Sequence, residues 1–313
     1  MSLLTDVVIV PRSGYTNRLQ SIASAALLAR AYGATLHVCW ESQPVAPAPP
    51  VAIFDSGFVE RTFMSPETFL DSFGIEPSSV PPYLTVNPGL ISLAGLDRGE
   101  QVFMPELVAA LAELDQPTTV MISAGGNYSV ESPGIALDQR GQWYRECAFA
   151  EPIMLASQSL IETKSPYVGV HLRYTDRSHE TPLARDVLAA ITKQVEITDL
   201  TSIFIASDTV QHRDKWVAIL NKEGLHPWTA QIATLDRSQQ SAGTEAMIDW
   251  RILGNAHTSV YFAASSFGQE AAVMAGSTST SIALPGHPLQ RLRARANNVM
   301  NAAIHYPRNH WFR

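Results

Sequence analysis

Tyr167–Asp176 reads YVGVHLRYTD, and this stretch decides how the rest of the chain is interpreted. Its first four residues are apolar and rich in valine, which is typical of a buried strand. The strand runs without a break into His171, Arg173 and Asp176. In an open α/β sheet, ligands bind beyond the carboxyl ends of the strands, and the planar guanidinium of arginine can hold two phosphate oxygens. The stretch therefore predicts the floor of an anion-binding site, with an ion pair between Arg173 and an acid such as Asp176 as the alternative.

Strands and helices alternate along the chain on both sides of this stretch. The chain begins with a predicted strand, helix and strand: Asp6–Pro11, Leu19–Tyr32 and Thr35–Trp40. This order implies a parallel sheet. The same order starts again at a helix, Glu151–Thr163, and ends in a long helix, Leu289–Ala303, that can pack back on the first half. We therefore expect an α/β fold of two Rossmann-like domains, 1–150 and 151–313, that face each other across a cleft.

The composition fits a folded chain and argues against several classes of protein. Of 313 residues, 46% are hydrophobic and 16% are charged, which is typical of a protein with substantial cores. The net charge of −7 argues against nucleic acid as the main partner. Cys39 and Cys147 form neither a disulfide framework nor a zinc-binding spacing. Because the sequence shows no signal peptide and no membrane-spanning apolar run, a cytoplasmic protein without a transmembrane segment is expected.

The loop Gly14–Arg18 precedes the first helix and is a second candidate for phosphate binding. Free backbone N–H groups and the helix dipole attract phosphate to a helix N-terminus. The loop is not a full G-x-G-x-x-G motif, and Asn17 can equally be the N-cap of the helix. Gly14, Asn17 and Arg18 are the nucleotide-binding candidates of this loop.

Three predicted strands of the second half end in polar residues, and in a parallel sheet these ends share one edge. The three polar clusters are Arg173–Asp176, Ser207–Asp208 and Ser265–Ser266. Backbone N–H groups and hydroxyls at a helix start formed by Ser265, Ser266 and Phe267 can hold phosphate. The carboxylate of Asp208, or of Asp249 on a neighbouring helix, can accept hydrogen bonds from guanine or from a ribose hydroxyl. The three clusters together predict a nucleotide site at this edge.

Four segments in this order resemble the superfamily of fucosyltransferases that use GDP-fucose, which includes the bacterial nodulation α-1,6-fucosyltransferases and the protein O-fucosyltransferases. The segments are Gly14–Trp40 with its Asn-Arg-Leu opening, His171–Asp176 with the pattern H-x-R-x-T-D, Ile203–Asp208, and Glu245–Gln269 with its Ser-Ser pair. The α-1,6 branch has a second arginine after the first, and this chain has Tyr174 there. The middle of the first half, roughly 44–116, matches no part of the family.

The resemblance implies a GT-B fold and a glycosyltransferase that takes fucose, or a related sugar, from a GDP-sugar held mainly by the second half. It implies that Arg173 neutralises the β-phosphate as the glycosidic bond breaks, in a direct, inverting transfer without a metal or other cofactor. The sequence agrees in having no D-x-D metal pair. His171 and Asp176 of the motif would contact the nucleotide, while His179 and Glu180 are candidates for the base that takes the acceptor proton.

Other interpretations of the same residues are weaker or stay open. The segment 264–268 (ASSFG) is close to the nucleophile elbow G-x-S-x-G, but no acid and histidine follow in the required order, so a serine hydrolase is not expected. His171, Asp176 and His179 fit no usual metal-ligand spacing. A protein that binds a nucleotide sugar without catalysis, or a glycosyltransferase for another sugar nucleotide, remains the alternative. The acceptor can be a carbohydrate, a peptide or a small molecule.

Overall fold

The computed structural model describes residues 3–80, 84–87, 102–103, 109, 111–129, 133–174, 181–230 and 239–286. The elements of the first half are β1 (Leu4–Pro11), α1 (Tyr15–Tyr32), β2 (Thr35–Cys39), α2 (Ser56–Thr62), β3 (Phe63–Met64), α3 (Pro66–Phe73), β4 (Leu84–Asn87), β5 (Val102–Phe103), β6 (Thr118–Ala124), β7 (Tyr128–Ser129) and α4 (Pro133–Glu146). Those of the second half are α5 (Glu151–Lys164), β8 (Val168–Leu172), α6 (Ala184–Thr198), β9 (Ser202–Ser207), α7 (Val210–Lys222), β10 (His226–Trp228), α8 (Gln240–Leu253), β11 (Thr258–Phe262), α9 (Ser266–Ala275) and β12 (Ile282–Leu284).

The first half is built on a sheet in the order β3-β2-β1-β6-β4. Strands β3, β2, β1 and β6 are parallel, and β4 pairs with β6 in the antiparallel direction. All residues of β1 after Asp6 are buried, because helices or loops cover both faces of the sheet. The loops that follow β1 and β6 leave the sheet side by side, since the Arg12 N–H donates to the Ala124 carbonyl at 2.8 Å.

The second half is built on a fully parallel sheet in the order β10-β9-β8-β11-β12. The chain moves outward from β8 to β9 and β10, then returns to the other side of β8 for β11 and β12. The strand order therefore reverses between β8 and β11, where His171 lies opposite Tyr261. Ligands of open α/β sheets bind at such a switch point, beyond the carboxyl ends of the strands.

The α/β fold with parallel sheets predicted from the sequence is confirmed, and most predicted elements are present within one to four residues. Helix α1 starts at Tyr15, four residues before the predicted start, and ends at Gly33 in the left-handed conformation with φ 68°. The predicted terminal helix, 289–303, and half of the residues of a predicted helix at 105–114 lie outside the described residues. Within the described part, no helix is long and apolar enough to cross a membrane.

Candidate active site

The carboxyl ends of β8 and β11 bring His171 and the start of α9 together. His171 is buried near the end of β8, and its ring stacks on Phe267 with centroids 4.8 Å apart and planes at 26°. The close approach depends on Gly268, because a Cβ there would lie 2.4 Å from the Cβ of Tyr261 and 3.3 Å from Nδ1 of His171. The contact therefore holds the first turn of α9 against the sheet at the switch point.

Arg173 follows β8 directly and is partly buried. Leu172 and Tyr174 both pack into the apolar cluster on one face of the sheet. Since side chains alternate along an extended chain, Arg173 lies on the opposite side, the side on which His171 contacts Phe267. The backbone at Arg173 therefore leaves the sheet at the same edge at which α9 begins, and a guanidinium and a helix N-terminus are both groups that attract anions.

Asp208 fixes the backbone immediately after Arg173. Both of its carboxylate oxygens accept hydrogen bonds from the Tyr174 N–H, at 2.9 and 3.1 Å. Its own N–H donates to the Leu172 carbonyl at 3.3 Å. The sequence did not predict this positioning contact, whereas the predicted contact of Asp208 with a nucleotide stays a prediction.

Tyr174 stands where the α-1,6 branch has its second arginine, and it is engaged within the second half. Its ring stacks on His212 with centroids 4.0 Å apart and planes at 12°, and its hydroxyl accepts a hydrogen bond from Trp216 Nε1 at 2.8 Å. Burial raises the pKa of Tyr174, so the phenol stays neutral at physiological pH. This position therefore supplies no positive charge to the candidate site.

The first half contributes the N-terminus of α1. Asn17 Oδ1 accepts a hydrogen bond from the Ser266 hydroxyl at 2.6 Å, so the two predicted loops meet across the two halves. Tyr15 lies two residues before Asn17 on α1, and its hydroxyl accepts a hydrogen bond from the Ala48 N–H at 2.9 Å. A Cβ on Gly243 would lie 2.5 Å from the same hydroxyl, so α8 and α1 are also in close contact here.

Arg18, the third candidate of this loop, is held inside the first half. The side chain is completely buried and stacks over Trp40, with the guanidinium carbon 4.4 Å from the ring centroid. It donates to the carbonyl oxygens of Ser13 at 2.9 Å and of Glu41 at 2.7 Å. Burial lowers the pKa of Arg18 to about 10, so the cation persists at neutral pH. The guanidinium therefore holds together the loops after β1 and β2 rather than reaching toward a ligand.

Of the other candidate residues, Gly14, Ser265 and Asp249 lie within the described part of the chain, each in a different environment. Gly14 is the extended N-cap residue of α1, and a Cβ there would meet nothing within 4 Å. Ser265 is completely buried at the start of α9, and its hydroxyl has no hydrogen-bond partner among the described residues. Asp249 is buried on α8, away from bulk water. Asp176, His179 and Glu180, which include both candidate bases, lie outside the described residues.

Two charged groups near these loops were not predicted from the sequence. Arg12 follows β1 and donates to Ser123 Oγ at 2.9 Å and to Glu41 Oε2 at 2.5 Å, so it ties together the carboxyl ends of three strands. Glu270 lies one helical turn after Ser266 and is completely buried. A single acid inside a small, apolar helix was the signal for Glu270, because a buried carboxylate needs partners. The described residues contain no cluster of three side chains suited to a metal ion.

The fold is that of known fucosyltransferases. The chain aligns with POFUT1 in complex with GDP-fucose at a TM-score of 0.53 and 15% identity, over 89% of this chain and 96% of that one. It aligns with the fucosyltransferase NodZ from Bradyrhizobium at a TM-score of 0.50 and 16% identity, over 86% of this chain and 92% of that one. It aligns with a mutant of Arabidopsis thaliana FUT1 in complex with GDP at a TM-score of 0.54 and 13% identity, over 88% of this chain and 69% of that one. No model of a protein family and no curated protein matches the sequence. The GT-B fold implied by the sequence motifs is thus confirmed.

Proposed function

We propose that this protein is a glycosyltransferase that transfers fucose from GDP-fucose to a hydroxyl group of an acceptor. The observation that carries the proposal is the contact of His171, two residues before Arg173, with Phe267 in the first turn of α9, at the switch point of the second sheet. The same fold holds GDP-fucose in the POFUT1 structure and GDP in the structure of the Arabidopsis thaliana FUT1 mutant.

In this proposal the diphosphate lies between Arg173 and the first turn of α9. The first N–H groups of a helix have no partner within the helix, so Ser266 and Phe267 offer donors to phosphate oxygens. Asp176, Asp208 and Asp249 are the carboxylates proposed to accept hydrogen bonds from the nucleoside. The acceptor would enter from the first half, whose α1 already touches α9 through Asn17 and Ser266.

The proposed chemical step is a direct displacement. The acceptor oxygen forms a bond to C1 of fucose while the bond from C1 to the β-phosphate oxygen breaks. The electron pair of the broken bond stays on that oxygen, and GDP leaves as an anion. The acceptor proton passes to a base, for which His179 and Glu180 are the candidates. Because the displacement is direct, the transfer inverts C1. Arg173 and the helix N-terminus neutralise the developing charge, so the proposed step requires no metal ion.

Nucleotide selectivity tests the donor class. Thermal unfolding is measured with GDP, UDP and ADP, each with and without magnesium. A ligand that binds only the folded chain raises the unfolding temperature. We expect GDP to raise it most, and equally with and without magnesium. Equal or absent effects of all three nucleotides would contradict the proposed donor.

The variant Arg173→Ala tests the catalytic role. Loss of a group that stabilises transition-state charge lowers turnover by about a hundredfold to a thousandfold. GDP release from GDP-fucose, including slow hydrolysis, is measured for Arg173→Ala and for the control Arg185→Ala, whose side chain on α6 is 82% exposed. We expect the control to keep wild-type turnover and both variants to keep the wild-type circular dichroism spectrum. Unchanged turnover in Arg173→Ala would refute the mechanism. If the wild type binds GDP-fucose but releases no GDP, the protein is a nucleotide-sugar-binding protein and not an enzyme.

A further inference from the structure

Glu270 is a buried carboxylate in the middle of α9. Its side chain is completely buried, and the residues that follow it, Ala271, Ala272 and Val273, belong to the hydrophobic core. Burial of an unpaired carboxylate is costly, so the surroundings of this side chain must supply donors. All the donors that the described residues supply come from the other half of the molecule.

Three residues of the first half bind the Glu270 carboxylate. Arg140 on α4 donates from Nε to Oε2 at 2.7 Å and from Nη2 to Oε1 at 3.2 Å. Tyr144, one turn later on α4, donates its hydroxyl to Oε2 at 2.7 Å. Gln20 on α1 donates from Nε2 to Oε1 at 2.9 Å. The four hydrogen bonds therefore tie one helix of the second half to two helices of the first.

The protonation states of the cluster suit these bonds. Burial alone would lower the pKa of Arg140, but Glu270 and Tyr144 raise it above its ordinary value, so the guanidinium is charged. Burial, and then the nearby Glu270 charge, raise the pKa of Tyr144 far above its ordinary range, so its hydroxyl keeps the proton that it donates. The Glu270 side chain thus faces one charged donor, Arg140, and two neutral donors, Tyr144 and Gln20.

The same helix carries the proposed phosphate-binding turn. Ser266 lies four residues before Glu270, and residues at this spacing share one face of a helix. Ser266 donates its hydroxyl to Asn17 of the first half, and Phe267 stacks on His171 of the second sheet. The first turn of α9 is therefore held between the halves, one turn away from the Glu270 cluster.

We infer that Glu270, Arg140 and Tyr144 form a positioning cluster that fixes the first turn of α9 relative to the first half. A buried ion pair contributes little net stability compared with apolar side chains of similar size, but its directional bonds specify one register. In this role the cluster sets where the N–H groups of Ser266 and Phe267 stand in the cleft. Its effect on nucleotide binding rests on the proposed function, whereas its effect on α9 does not.

Two tyrosine variants separate positioning from general stability. Tyr144→Phe removes one hydrogen bond to Glu270, and Tyr167→Phe removes the bond from a second completely buried tyrosine to the Ile252 carbonyl, which is also 2.7 Å long. Both variants keep their rings, so both are expected to fold. Hydrogen–deuterium exchange is measured on the peptide that covers 266–275, relative to a peptide from β9, and GDP affinity is measured by calorimetry.

We expect Tyr144→Phe alone to raise the relative exchange of 266–275 and to weaken GDP binding by about fivefold or more, as for a typical coupling between sites. Tyr167→Phe is expected to leave both quantities at their wild-type values. Unchanged exchange in Tyr144→Phe, or an equal increase in Tyr167→Phe, would overturn the inference. If the wild type binds no GDP while the exchange result holds, the proposed function fails and the positioning role of the cluster stands.

Discussion

At the scale of single residues, Asp249 is a buried acid whose protonation is coupled to folding. It lies on the buried face of α8, and its Oδ1 has no hydrogen-bond partner among the described residues. Burial raises its pKa well above the ordinary value, and the positive charge of Arg213 only partly opposes this. The folded chain therefore binds this proton more tightly than the unfolded chain does.

The variant Asp249→Asn makes this coupling measurable. Because the folded pKa is the raised one, the free energy of unfolding of the wild type is highest below the unfolded pKa of about 4 and falls as pH rises toward the folded value. Asp249→Asn has no proton to lose, so we expect it to be more stable than the wild type at pH 8 and to lose that advantage near pH 4. Urea unfolding at both pH values measures the difference. The exposed Asp138→Asn serves as control, and an equal gain in both variants at pH 8 would contradict the assignment.

Side-chain direction is what the sequence could not specify at this scale. The strand-end rule correctly placed His171 and the start of α9 at one edge of the sheet. The sequence could not show that the Arg18 side chain turns inward to two carbonyl oxygens. An arginine near a glycine in a loop gives the same sequence pattern whether its side chain points into the protein or toward a ligand. The sequence likewise could not show that Asp208 accepts from the Tyr174 N–H, because that contact joins residues 34 positions apart.

At the scale of elements, helices and strands with strong apolar patterns were predictable, and short ones were not. The strands β1, β8, β9 and β11 are buried on both faces, so their uninterrupted apolar runs identified them. The two-residue strands β3, β5 and β7 have no periodicity of their own and depend on a partner strand. Helix α4 is hard to recognise from the sequence because its polar residues hide the few, among them Arg140 and Tyr144, that face α9.

The packing of α9 on β11 depends on one glycine, and this gives a prediction for an element. A Cβ on Gly268 would lie 2.4 Å from the Tyr261 Cβ, so Gly268→Ala must push the helix away from the strand. Overpacking of this kind costs about 1–3 kcal/mol. Gly57→Ala on α2 is the control. A Cβ at Gly57 would lie 3.2 Å from the ends of the Arg61 and Asp55 side chains, which can move aside.

Urea unfolding measures both glycine variants. We expect Gly268→Ala to lose stability and Gly57→Ala to keep or gain it, because alanine is the better helix former. Wild-type stability of Gly268→Ala would mean that α9 can shift freely on the sheet. That result would also weaken the argument that the first turn of α9 is held in place.

At the scale of the whole molecule, the two sheets are separate but the largest core is shared. One hydrophobic cluster contains Ile22 and Phe54 from the first half together with Tyr167, Phe204 and Trp250 from the second. The smaller clusters lie within one half each. The strands of the two sheets thus lie on either side of residue 150 in the sequence, while side chains from both sides pack into a common core.

Trp250 is a completely buried member of this common core that contacts residues of the first half. Its ring contacts Tyr144 edge-on, with centroids 5.2 Å apart, and Phe149 at 6.1 Å. Separating the halves would expose these three rings and break the Glu270 cluster at the same time. Exposure of a large aromatic surface and of a buried charge is costly, so the halves are expected to unfold together.

We therefore expect one cooperative unfolding transition for the full chain. Thermal unfolding followed by far-ultraviolet circular dichroism, which reports on both sheets, should have the same midpoint as unfolding followed by tryptophan fluorescence. The variant Trp250→Ala leaves a large cavity in the shared core and should lower the free energy of unfolding by about 3–5 kcal/mol. Two separate transitions in the wild type would show that the halves fold independently, and the shared core would then be too weak to couple them.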